Sequence, residues 1–242
     1  MDYYNSNQQQ TPPPIYGGTR TVTQQLSDVM KKVYVRMFLG LLISGFVAVG
    51  IASSESAMYF IFGHSWVYWG MFIGMIVMAI AIPTAMNRMS STAIMMLFFL
   101  FSALMGASMA SIFWVYELGT IAYTFFITAG VFGAMSVYGY FTKSNLARMG
   151  TYCVMALFGL IIASVVNIFV ASSTLDWIIS IAGVLLFVGL TAWDTQQMKQ
   201  IAAANLAPEL TDKLATMGAM NLYLDFINLF LFLLRIFGGN RN

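Results

Sequence analysis

The chain has 242 residues, of which 60% are hydrophobic and only 8% are charged. A soluble domain carries about 25% charged residues, and a soluble chain of this length could not hide so much apolar surface from water. The net charge of +2 comes from few and scattered basic residues, which excludes nucleic acid as a partner. Membrane lipid is therefore the expected surroundings of the chain.

The elements in chain order predict an all-α membrane protein. Residues 1–25 are rich in Gln, Pro and Thr and predict a disordered cytoplasmic tail. Residues 26–36 carry three basic side chains and predict a short interfacial helix. Residues 26–242 are predicted to form one domain with seven transmembrane helices, each near the ~20 residues that a bilayer requires. The predicted spans are 37–52, 66–86, 92–116, 119–140, 149–170, 177–197 and 217–237.

The basic residues predict the orientation of these spans in a cell (inner) membrane. With the N-terminus placed in the cytoplasm, nine of the eleven Lys and Arg residues fall on the inner side, where positive charge collects. The outer side holds only Arg235 and Arg241, and its loops carry Glu55, Glu117 and Asp176. We expect the C-terminus to lie outside. A six-span alternative, with a re-entrant last segment, stays open.

Two aspartates, Asp194 and Asp225, are the main candidates for a functional site. Charge inside the hydrocarbon is costly, so an ionisable residue there indicates function. Spans one to five are nearly free of charge, whereas these two acids lie in spans six and seven. Asp194 is expected ~15 Å from the helix end if its helix continues to residue 204, and ~5 Å if the helix stops at 197. Asp225 is expected about 12 Å deep, so antiparallel neighbours would bring both carboxylates to similar depth.

A polar stripe accompanies Asp225 on the last span. Asn221, Asp225, Asn228 and Arg235 are spaced +4, +3 and +7, which places them within about 80° of one helix face. Such a stripe on an apolar helix is expected to face the bundle interior, and the rest of the helix is apolar enough to be central. The alternative is structural: Asp194 bonded to backbone near a helix end, and Asp225 bonded to Asn or Tyr neighbours.

Three segments resemble the Bax inhibitor-1 (TMBIM) family. They are residues 138–146 (YGYFTKSNL), 189–196 (GLTAWDTQ) and 222–230 (LYLDFINLF). The last is the most specific, and the resemblance, closest to bacterial members, extends from about residue 25 to residue 238.

The resemblance implies a fold, an activity and residue roles. It implies seven helices with the last one central, and a calcium leak modulated by pH. It implies that Asp194 and Asp225 sense pH and that Arg88, at the inner end of the second span, is their latch. Arg235 matches a late arginine of the family. Some members pair that arginine with a second-span glutamate, but Val77 stands near that place here.

The residue chemistry agrees with calcium as the bound or transported ion. Calcium prefers oxygen ligands, which the two carboxylates, Asn221 and Asn228 could supply. Two close carboxylates in a low dielectric resist double ionisation, so protons and calcium would compete for them. No other cofactor and no enzymatic activity are expected.

Three other functional classes stay open. A proton-coupled calcium or cation transporter would use the same acids. A diaspartyl intramembrane protease also places aspartates on spans six and seven, but its GxGD and Pro-Ala-Leu motifs do not occur here. The last class is a non-transporting interaction protein, and the protein partners stay unknown.

Overall fold

A computed structural model describes residues 22–86, 88–204 and 206–238. These residues form nine helices and no strand, and seven helical segments are long and apolar enough to cross a membrane. The all-α prediction with seven spans is therefore confirmed. The helices are α1 Val22–Ala52, α2 Glu55–Gly63, α3 Ser65–Thr84, α4 Ser91–Met109, α5 Ile112–Val115, α6 Leu118–Phe141, α7 Ala147–Val170, α8 Ser173–Ala203 and α9 Pro208–Phe237.

The first helix corrects one expectation. Residues 26–36 do not form a separate interfacial helix, because α1 runs without a break from Val22 to Ala52. Its 31 residues give a length of about 46 Å, which exceeds the ~30 Å hydrocarbon core. The basic residues of α1 bind an acid of α9, so this segment packs along the bundle. Residues 1–21 of the predicted tail lie outside the described residues.

The last helix is the centre of the bundle, as predicted. The fraction of buried residues in the most apolar stretch is 67% for α9 and 6% for α7. Helix α9 packs against α1, α4, α6 and α8, whereas α7 packs against α8. It is also uninterrupted over 30 residues, unlike the re-entrant segment of the six-span alternative.

Small residues allow the close helix contacts around α9. A Cβ added at Gly106 would overlap the backbone of Ser44, so α4 and α1 touch there. The Ser44 hydroxyl donates to the Ser102 carbonyl at 2.7 Å and lies 2.6 Å from the Tyr223 hydroxyl of α9. Tyr223 is fully buried, and this hydrogen-bonded group holds α1, α4 and α9 together.

One end of the bundle, called the basic end below, is where α1, α4, α7 and α9 begin. It carries most basic side chains of the described residues, namely Lys31, Lys32, Arg36, Arg88, Lys143, Arg148, Lys199 and Lys213. The opposite end holds Arg235 with Glu55, Glu117 and Asp176.

Gly106→Ala is expected to destabilise the protein by about 1–3 kcal/mol, the usual cost of overpacking, because the added methyl group collides with the backbone of Ser44. Thermal unfolding of the purified protein in detergent measures the effect. Gly130→Ala is the matched control: a Cβ there meets nothing within 4 Å, and alanine favours a helix. Equal loss of stability in both variants would contradict the packing argument.

Candidate functional site

Asp194 lies well inside its helix. Helix α8 continues to Ala203, so the longer of the two expected depths is the one that applies, at about 14 Å from the helix end. Asp225 lies near the middle of α9, because α9 begins at Pro208 rather than at residue 217. Proline suits that position, since the first turn of a helix needs no N–H there.

Two contacts define the register of the antiparallel helices α8 and α9. Gly183 lies against Phe232, and Gly218 lies against Met198. Between these points Asp194 is level with residues 221 and 222 of α9. Asp225 lies one helical turn further along, an axial offset of about 5 Å. The two acids therefore differ in depth by about one helical turn, but the expected depth of Asp225 was wrong: it lies about 26 Å from the start of α9 and not about 12 Å.

Both carboxylates line one cavity between α7, α8 and α9, whose volume is ≈ 530 Å³. Asn221 and Asn228 line it as well, so four members of the predicted site meet here. The other lining residues are Ser164 and nine apolar side chains: Leu157, Leu160, Ile161, Val165, Ile168, Phe187, Leu190, Leu224 and Phe232.

The two acids are buried, and the described part of the chain offers them no hydrogen-bonding partner. Asp194 is 6% exposed and Asp225 is 5% exposed. Within the described residues, neither carboxylate makes a hydrogen bond or an ion pair, and Asp225 Oδ2 is fully buried without a partner. The two carboxylates do interact with each other electrostatically.

The sequence left open a purely structural role, with Asp194 bonded to backbone and Asp225 bonded to Asn or Tyr neighbours. The described residues do not show these hydrogen bonds. The Tyr223 hydroxyl contacts Ser44, not an aspartate. The Asn228 amide group donates to the Leu224 carbonyl at 2.8 Å, which leaves its side-chain oxygen available to the cavity. The site thus offers carboxylate and amide oxygens from two helices. Among the described residues, no three His, Cys, Asp or Glu side chains cluster as a metal site.

Arg235 lies apart from the aspartates. It is 3.7 Å from Asp176, at the opposite end of the bundle. These two residues line a second cavity of ≈ 210 Å³, together with Ser164, Asn167, Ile168 and Ile179. Ser164 and Ile168 line both cavities, so the second cavity leads from the aspartates toward the opposite end.

Arg88 lies in the turn after α3, and its side chain is exposed. Within the described residues it forms no ion pair with either aspartate. Helix α3 packs mainly against α4 and α2, away from the acids. The latch role of Arg88 stays a prediction, and it would require a conformation in which α3 or its turn approaches α8 and α9.

The sequence analysis missed a charged cluster around Asp212 at the basic end. Its carboxylate accepts hydrogen bonds from Lys32 and Arg36 of α1, at 2.9 and 2.8 Å, and from the Ser91 hydroxyl at the start of α4. Arg36 also donates to Thr216. The only available signal was an acid in the connection between spans six and seven, on the basic side. Its partners are between 121 and 180 residues away in the chain.

A second contact at the basic end fixes the connection before α7. Gln196 of α8 accepts from the Leu146 N–H and donates to the Ser144 carbonyl, both at 2.8 Å. A Cβ at Gly150 would collide with the indole ring of Trp193, so α7 and α8 are in close contact beside Asp194. These contacts hold the start of α7 against α8 near Asp194.

Comparison with known proteins identifies related chains across nearly the whole length. The sequence model of a family described as "Inhibitor of apoptosis-promoting Bax1" matches residues 26–242. Inner membrane protein YbhL of Escherichia coli K12 is 43% identical over 218 residues, covering 89% of this chain and 93% of YbhL. An uncharacterized protein of Borreliella burgdorferi is 44% identical, covering 91% of this chain and 98% of that protein. Uncharacterized protein RP147 of Rickettsia prowazekii is 40% identical, with coverage of 92% and 94%.

Asp212→Asn is expected to lower the free energy of unfolding by about 2 kcal/mol, because charge-assisted hydrogen bonds are lost and two cations are left without their anion. Thermal unfolding in detergent measures this change. Glu209→Gln, one turn away, is the matched control: its carboxylate pairs with Lys213 but is 68% exposed, and such pairs contribute little. Equal effects of the two substitutions would rule out a special role for Asp212.

Proposed function

The chain belongs to the Bax inhibitor-1 family, and from this premise we propose that it is a pH-sensitive calcium leak channel gated by Asp194 and Asp225. The observation that carries the proposal is a pair of buried carboxylates that line one cavity inside a membrane-spanning bundle and have no partner among the residues that the structure describes. Buried charge is normally paired, so a pair that the protein leaves free is available to an ion or a proton.

The donor set suits calcium as a transported ion. Calcium takes six to eight oxygen ligands, and the cavity contributes two carboxylates and the side-chain oxygens of Asn221 and Asn228. Water would supply the remaining ligands. Without a third acid, the binding is expected to be weak, and weak binding allows an ion to leave.

The two ends of the bundle differ in charge and in contacts, and this difference supports one direction from which calcium reaches the aspartates. We assign the basic end to the cytoplasm by the distribution of Lys and Arg. The aspartate cavity then connects toward the outside through the second cavity, where Asp176 and Asn167 offer oxygen atoms. On the cytoplasmic side, Gln196 and the contact of Trp193 with Gly150 close the path.

Protons provide the regulation. Two close carboxylates away from water share a proton more readily than they hold two charges. Protonation removes the charge that calcium needs, so calcium binding weakens as the pH falls. Arg88 would pair with the ionised acids in a latched conformation and would release them after protonation.

Single Asp194→Asn and Asp225→Asn variants are expected to shift or weaken the pH dependence of calcium flux, because the remaining carboxylate has no second acid with which to share a proton. The assay measures calcium entry into proteoliposomes at two values, about pH 6 and about pH 8. Glu117→Gln, in a loop at the opposite end, controls for the loss of one negative charge. A wild-type pH dependence that persists in both Asn variants would refute the assignment.

The same vesicles distinguish a leak from coupled transport. A leak channel moves calcium down its own gradient and needs no proton gradient. A proton-coupled transporter would accumulate calcium against its gradient when a proton gradient is imposed. Accumulation of this kind, with a fixed number of protons per calcium ion, would replace the leak proposal by the transporter.

Arg88→Gln tests the latch separately. If Arg88 holds the ionised pair, its removal is expected to raise the leak several-fold at about pH 8, where the carboxylates are charged, and to change it little at about pH 6. Lys143→Gln, which removes another exposed cation at the basic end, serves as the control. A leak that is the same in Arg88→Gln and the wild type at both pH values would exclude the latch.

A further inference from the structure

The aspartate cavity has a mouth on the lipid-facing side of the bundle. Ile161, Val165 and Ile168 of α7 line the cavity, and they are 51%, 50% and 76% exposed. Helix α9 packs against four other helices, and α7 packs against α8. The gap between α7 and α9 is therefore the place where the cavity meets the hydrocarbon.

The cavity wall combines apolar side chains with acidic and amide side chains. An ion path does not require this combination. Nine of its fourteen lining residues are Leu, Ile, Val or Phe. The polar groups gather on α8 and α9, where Asp194, Asp225, Asn221 and Asn228 lie, and no Lys, Arg or His among the described residues lines the cavity. The site is an apolar chamber with an anionic inner wall.

We propose that this cavity binds a single-chain amphiphilic amine, whose ammonium group contacts Asp194 and Asp225 and whose alkyl chain lies along α7. An ammonium group has three N–H donors, which match the two carboxylates and the free side-chain oxygen of Asn228. Such hydrogen bonds between charged groups are short and strong. The buried Asp225 Oδ2 gains a partner that the described residues do not provide.

The size and walls of the cavity favour this ligand over related amphiphiles. A volume of ≈ 530 Å³ lies within the range of about 300–1,000 Å³ that is usual for small-molecule sites. A fatty acid would bring a third carboxylate to the acids and be repelled. A fatty alcohol offers the same chain but only one neutral donor, and would leave the anionic wall uncompensated.

Thermal unfolding of the full chain in phosphatidylcholine nanodiscs tests this proposal. Dodecylamine, dodecanol and dodecanoic acid are added at equal mole fraction in the membrane. Dodecylamine is expected to raise the Tm of the wild type by about 5 °C, because a ligand that binds only the folded state stabilises it. The alcohol and the acid are expected to give no such rise. Equal rises with dodecylamine and dodecanol would overturn the proposal, as would no rise with dodecylamine.

Variants distinguish dodecylamine that binds in the cavity from dodecylamine that only makes the membrane positively charged. Asp225→Asn and Asp194→Asn are expected to lose the rise with dodecylamine, and Glu117→Gln to keep it. Ser164→Phe keeps both acids but places a ring at the junction of the two cavities, and it is expected to lose the rise as well. A rise that persists in Ser164→Phe and in a folded aspartate variant would locate the amine elsewhere and refute the proposal.

A further experiment distinguishes a single-chain amine from a membrane lipid that also carries an ammonium group. Replacing part of the phosphatidylcholine by phosphatidylethanolamine adds an ammonium group that carries two chains. The Tm is expected to stay unchanged; a rise that Asp225→Asn abolishes would overturn the single-chain assignment. No arm depends on calcium flux, so amine binding without flux would refute only the leak channel, and flux without amine binding would refute only this site.

Discussion

The cost of unpaired charge in a medium without water is the constraint on which this structure depends. Most charges of the described residues lie at helix ends or in loops, where water, ion pairs or lipid head groups can solvate them. Among the described residues, four buried side-chain oxygens lack a partner, and Asp225 Oδ2 is the one that belongs to an ionisable group. Keeping it beside Asp194 costs stability. The fold must recover that cost from packing elsewhere, which is a common arrangement at functional sites.

Packing around α9 recovers this cost and also shapes the cavity. Gly106 against Ser44 brings α1 and α4 together, and Gly139 against Ala192 brings α6 onto α8. The same four helices, α1, α4, α6 and α8, pack against α9. Tyr223 joins α9 to α1 through its hydroxyl group and to α4 through its ring. The remaining face of α9 carries Asn221, Asp225 and Asn228, and it lines the cavity between α7, α8 and α9. The arrangement of helices around α9 therefore produces both the close packing on one side of α9 and the aspartate cavity on the other.

The two ends of the bundle differ in how firmly they are held. At the basic end, Asp212 binds two cations and a hydroxyl from two other helices, and Gln196 fixes the connection before α7. At the opposite end, the Arg235 and Asp176 side chains are about half exposed and 3.7 Å apart. This difference supports access to the acids from the opposite end and from the lipid side. An ion and an amphiphilic amine would then compete for the same two carboxylates.

The amino-acid sequence by itself determined the features that depend on local composition. Seven apolar runs, two acids inside them and the polar stripe of α9 could be predicted, because hydrophobic length and the cost of buried charge are properties of single segments. The surroundings of three sets of basic residues depend on residues that are distant in the chain. In α1, Lys32 and Arg36 pair with Asp212 of α9. Arg235 pairs with Asp176 at the opposite end. Arg88 is exposed in the turn after α3, which packs on α4. Only the tertiary structure decided these points, and the gap between α7 and α9, because pairing and register are set by contacts between helices that no single segment encodes.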